Sequence, residues 1–80
     1  MKSMKDLNID EAIDVAIRNT YAMYMDIQTY EEIIEGEYPM FIHDIDYGIT
    51  DDDLDFLISY FETTEEYEKC SDVKNKRDEV

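Results

Sequence analysis

The chain has 80 residues, with 22 acids against seven bases and a formal net charge of −15. So few bases exclude direct binding to nucleic acid or to an anionic membrane, both of which are gripped through Lys and Arg. Its single cysteine, Cys70, leaves no internal disulfide to form, and no run approaches the roughly 20 apolar residues of a membrane span.

Met1 to Leu7 is a short basic lead-in. It is followed by an acidic amphipathic segment and not by the apolar run of a signal peptide, so a reducing cytoplasm is the expected setting. Asn8 and Glu11 have the spacing of a capping box, and Asp10, Glu11 and Asp14 suit the positive end of a helix. Ile13, Ala16, Ile17, Thr20, Tyr24, Ile27 and Ile34 recur by threes and fours. This spacing predicts a helix from about Ile9 to Ile34 with room for one interruption. Tyr21, Met23, Met25 and Ile27 also alternate with period two, which leaves a strand as the alternative there. Val15, Met23, Met25 and Ile33 fall off the main stripe. A helix apolar on several faces is covered on several sides, and that predicts a homodimer.

Gly36 and Pro39 end this element. Met40 to Tyr47 reads as an irregular connection, closed by Gly48. Thr50 caps a second helix whose first turn is Asp51, Asp52 and Asp53, with a buried stripe of Leu54, Leu57, Ile58 and Phe61. Thr63 and Thr64 mark a break, after which Glu65 to Cys70 continues the helix or restarts it. The expected fold is therefore a small, mainly α, single domain of two principal helices around an irregular connection, with minor β content as the variant. It spans residues 1–70 and is followed by a flexible tail over 71–80.

Catalytic and cofactor chemistry find no foothold. His43 and Cys70 are each alone of their kind, so neither has companions for a zinc site or a nucleophile and its base. Asp44, Asp46 and Gly48, with Asp52 and Asp55 beyond, resemble a calcium loop. The glycine comes one position early, however, and Asp stands where a bidentate Glu belongs. The expectation is no enzyme, no cofactor and no metal.

One asymmetry stands out. From Asn19 to Glu68 there are fifty residues, fifteen carboxylates and no Lys or Arg. Outside this window seven acids face seven bases, so the window carries the net charge. It also holds the tyrosines and phenylalanines, so it is a folded region that accepts its own repulsion. That repulsion predicts raised pKa values for some of its carboxylates. At a chain radius of about 12 Å, fifteen carboxylates spread over roughly 30 Å approach the one charge per about 1.7 Å of duplex DNA.

In size, acidity and interleaved aromatics the chain resembles the small DNA-mimic proteins of bacteriophages and mobile elements. These include inhibitors of uracil-DNA glycosylase, of restriction and CRISPR enzymes, and of the histone-like nucleoid protein HU. The resemblance implies an inhibitor that occupies the DNA-binding surface of a basic bacterial host protein, with HU the best fit because it reads backbone charge and shape. The phosphate mimics would be Glu31, Glu32, Glu35, Glu37, Asp44, Asp46, Asp51, Asp52, Asp53, Asp55, Glu62, Glu65 and Glu66, with Tyr47 as an aromatic contact. The alternative is an acidic adaptor or antitoxin-like module that grips a basic partner through an apolar groove.

Overall fold

A computed structural model describes residues 7–79 and shows four helices: α1 (Ile9–Tyr24), α2 (Tyr30–Ile34), α3 (Asp51–Thr63) and α4 (Tyr67–Asp78). Local sequence chemistry sets the starts of the first three. The Asn8 side chain accepts from the Glu11 N–H at 2.8 Å, and the Glu11 carboxylate accepts from the Asn8 N–H at 3.3 Å. The same reciprocal box joins Thr50 to Asp53 at the start of α3. A third box, Thr29 with Glu32, starts α2 and makes the one interruption of the predicted long helix. Residues 21–27 are the end of α1 and its turn, and the described residues contain no strand, only an isolated bridge between Asp44 and Gly48.

Both α1 and α3 stop in the same way. The residue after the C-cap turns left-handed, Asp26 at φ 59° and Glu65 at φ 62°. The next N–H then reaches back to close the end: Ile27 to the Ala22 carbonyl and Glu66 to the Phe61 carbonyl, each at 2.8 Å. This closure usually employs glycine, which has no Cβ to strain, and a helix C-terminus disfavours negative charge. Here an acid does the work at both ends.

Beyond Glu65 the chain does not fray at residue 71 as expected. It forms α4, which crosses the predicted domain boundary and adds a third long helix to the two foreseen. The physical reason is economy of contact. Cys70 and Val73, three residues apart on one face, are 4% and 0% exposed, and this narrow stripe is enough to hold the helix on α3. The core lies between α1 (Ile17, Tyr21), α3 (Leu54, Leu57, Phe61) and α4 (Cys70, Val73). Phe61 is its centre, fully buried and met edge-on by Tyr21 at 5.3 Å between ring centroids.

The segment from α2 through the connection wraps the outer side of α1 and is tied down by uncharged groups. The Asn19 amide donates to the Tyr38 and Met40 carbonyls at 2.8 and 3.0 Å. Thr20, fully buried, accepts from the Ile42 N–H at 3.1 Å and lies 3.0 Å from His43 Nδ1. Ile33 is buried, while Val15, Met23 and Met25 are half-buried. These off-stripe residues are thus covered largely within one chain, which removes the reason they gave for a second copy.

Candidate functional site

The acids separate from the bases along the sequence, and in space the bases reach only part of the acidic window. Arg18 is bidentate on Glu66, at 2.8 and 3.0 Å, while its Nε meets Asp14 at 3.0 Å. The Tyr60 hydroxyl donates to the same Asp14, and Lys69 lies 3.7 Å from Glu66. At the far end of α4, Lys76 donates to Asp26 at 2.9 Å and to the Tyr24 carbonyl. Arg77 lies across two acids of α3, 2.6 Å from Asp55 and 3.5 Å from Asp51. The flanking bases therefore fold back and engage four carboxylates of the window: Asp26, Asp51, Asp55 and Glu66.

These pairings set the electrostatics. Burial works to raise the Asp14 carboxyl, but hydrogen bonds from Tyr60 and Arg18 and the Arg18 charge outweigh it, so its pKa falls. The Arg18 hydrogen bond likewise holds Glu66 below the ordinary carboxylate range. Glu66, a window acid, moves opposite to the expected rise, because a guanidinium in contact is stronger than diffuse repulsion. Burial pushes the Tyr21 hydroxyl up to about 12, so it stays a donor, and it bonds Asp72 at 3.1 Å. Burial also lowers the pKa of His43, against the pull of Asp53 and Asp44, and so favours its neutral ring.

The remaining predicted phosphate mimics fall into two groups. Glu32, Asp44 and Asp53 have structural duties: two complete capping boxes, and Asp44 accepts from the Asp46 N–H at 2.8 Å within its turn. Glu31, Glu35, Glu37, Asp46, Asp52, Glu62 and Glu65 are exposed, and so is Glu68. None of these eight makes an ion pair or a side-chain hydrogen bond with a described residue. Of the fifteen window acids, eleven thus face solvent or a helix start without a described cation. The molecule measures 38 Å along its longest axis, so fifteen acids give about one per 2.5 Å and eleven about one per 3.5 Å. Averaged over that axis, the unpaired set has a linear charge density near that of one DNA strand, roughly one per 3.4 Å, and below that of the duplex.

Among these acids Tyr47 is 86% exposed, in the turn where Gly48 takes φ 82°. Sequence reasoning missed Phe56, which is 48% exposed on the outer side of α3, one turn from Asp52. The signal was present: Phe56 lies off the stripe of Leu54, Leu57, Ile58 and Phe61. Ile45, 45% exposed, adds to the apolar contacts beside Asp44 and Asp46. Two surface hollows, of about 330 and 190 Å³, are edged by acids (Glu65, Glu66 and Glu68 in one, Glu32 and Glu37 in the other) and neither is an apolar groove. Among the described residues no three His, Cys, Asp or Glu side chains converge to hold a metal ion, and no helix is long and apolar enough to cross a membrane. No protein-family model matches the chain, and no curated protein or solved structure matches it either.

Proposed function

We propose that this protein is a DNA mimic that acts by binding, without catalysis, in the cytoplasm of a bacterial host. It occupies the DNA-binding surface of a basic host protein, with HU as the preferred target. The observation that supports this reading is the set of eleven carboxylates without a described cation, spaced at strand-like density over a helical scaffold. Charge of that kind suits a protein that reads backbone and shape. In this reading two copies pair and lengthen the charged surface, supported by Ile9 and Ile13, exposed one turn apart on α1.

The test is a gel shift in which this chain is titrated into HU bound to a labelled duplex. Displacement of the duplex is expected, weakening steeply with salt. Glu31→Gln, Glu35→Gln, Asp46→Asn and Asp52→Asn together should lose far more than any one of them, since none has a structural duty. A quadruple variant that displaces DNA as well as the parent does would reduce the acids to a solubilising surface. The exposed Tyr47, Phe56 and Ile45 favour a second reading, an acidic adaptor gripping its basic partner through apolar contacts. In that case binding survives salt and fails on Tyr47→Ala with Phe56→Ala.

A further inference from the structure

His43 sits where the segment wrapping α1 closes on that helix, and it is 6% exposed. Its Nδ1 lies 3.0 Å from the Thr20 hydroxyl, which also accepts from the Ile42 N–H at 3.1 Å. Its Nε2 is buried and has no hydrogen-bond partner among the described residues. Phe41 meets the ring edge-on at 5.1 Å and itself stacks on Tyr30 of α2. A neutral imidazole has one N–H and one lone pair, so either tautomer can satisfy Thr20 and leave one nitrogen idle. An imidazolium carries an N–H on both nitrogens and a full charge. In this packing its Nε2–H finds no acceptor, and a buried charge without a partner is costly.

The charged groups that act on the ring are Asp44, its neighbour in the chain, and Asp53 in the first turn of α3, whereas α1 faces it with the uncharged Thr20. Both carboxylates favour the imidazolium, but Asp53 is engaged by Thr50 and Asp44 by the Asp46 N–H, and neither bonds the ring. We propose that His43 is a proton-operated latch: neutral, it holds residues 41–43 on Thr20, and protonated, it releases them while α1, α3 and α4 stay packed. The buried core is drawn from those three helices alone, and the wrapping segment adds only the partly buried Ile42 and Ile49 at its edge. The turn from Asp44 to Gly48 follows the latch directly, so Asp44, Asp46 and the exposed Tyr47 hold one position only while it is closed. The device is independent of what the acidic surface binds.

Hydrogen exchange of the unmodified chain tests this. Corrected for the intrinsic rate at each pH, opening at the Ile42 N–H should be level above about pH 7. It should rise about tenfold per pH unit below about 6.5, as one proton taken up on opening requires. This opening should respond little to low urea, because it exposes little surface, whereas the Phe61 N–H should exchange only through a strongly urea-dependent one. The variant His43→Asn keeps a polar atom near the Nδ1 position but does not titrate, so its Ile42 exchange should be flat between pH 7.5 and 5.5. If Ile42 and Phe61 open with the same rate and urea dependence, release is global unfolding and the latch is overturned. Opening at Ile42 that ignores pH in the unmodified chain, or that keeps the parent's slope in His43→Asn, would overturn it as well.

Discussion

The body formed by α1, α3 and α4 and the arm running from Thr29 to Thr50 are held by different chemistry. The body closes over an apolar core, with Arg18, Lys76 and Arg77 paired across its seams and Lys69 paired locally with Glu66. The arm carries Glu31, Glu32, Glu35, Glu37, Asp44 and Asp46, and no described cation reaches any of them. It is fixed instead by an amide, a hydroxyl and a neutral imidazole. A segment left uniformly negative cannot be docked by ion pairs without losing its charge, so docking passes to groups that leave the field intact. Among the described residues, ion pairs are thus confined to the body, and the arm is held without them.

The most severe way to break this division is to remove the centre of the body. Phe61→Ala should cost about 3–5 kcal/mol, enough to unfold much of so small a domain, and arm and body should melt together in urea. An arm that stayed ordered would show that it does not depend on the body. Asn19→Ala acts on the arm alone. Losing two bonds to the Tyr38 and Met40 carbonyls should cost about 1–3 kcal/mol. Hydrogen exchange should quicken over residues 38–43 while Leu57 to Phe61 stay protected, and equal loss of protection in both would erase the distinction.

The third way uses pH. The His43 pKa is lowered in the fold, so below its ordinary value of 6.5 the unfolded chain takes up a proton that the folded chain resists. Stability should be fully present above that value and decline as pH falls through it. A scan of urea midpoints from about pH 7.5 to 5.5 stays above the carboxylate range. His43→Gln should flatten the slope, and an unchanged slope would place the pH dependence elsewhere. The smallest effect belongs to the body. Glu65→Gly relieves a left-handed backbone that costs a non-glycine residue about 1 kcal/mol or more, and it takes an acid from a helix C-terminus. It should raise stability by about that amount, partly offset by the freer unfolded chain. A lower urea midpoint would mean that Glu65 makes a contribution its geometry does not reveal.

Much of the fold was legible because it rests on local chemistry. The Asn8 and Thr50 caps, the stripe of α3, the Ala16, Ile17 and Thr20 part of the first stripe and the break near Thr63 follow from neighbours a few residues apart. Ile13, Ile27 and Ile34 of that first stripe are exposed, and the off-stripe Ile33 is buried in their place. Two elements were hidden for physical reasons. Thr29 and Glu32 form a capping box that a continuous apolar rhythm into Ile34 masked. The polar composition beyond Cys70 concealed how far α4 runs, since its hold on the core there comes from one further side chain, Val73. The candidate surface was legible as a count of charges but not as a partition. That Glu66 belongs to Arg18, forty-eight positions away, is decided by tertiary packing. That Phe56 lies outside was implied by the helix period once the buried stripe was fixed.

Three residues, Thr64 to Glu66, join α3 to α4, and the Glu66 N–H closes back on the Phe61 carbonyl. Contacts between these two helices therefore span short stretches of chain and demand little loop entropy. This hairpin should be the first part of the molecule to assemble, with α1 joining later through Ile17 and Tyr21, and the arm last. The acids of α3 would then stand on an ordered surface early in folding, while those of α2 and the connection wait for Asn19 and Thr20 to arrive.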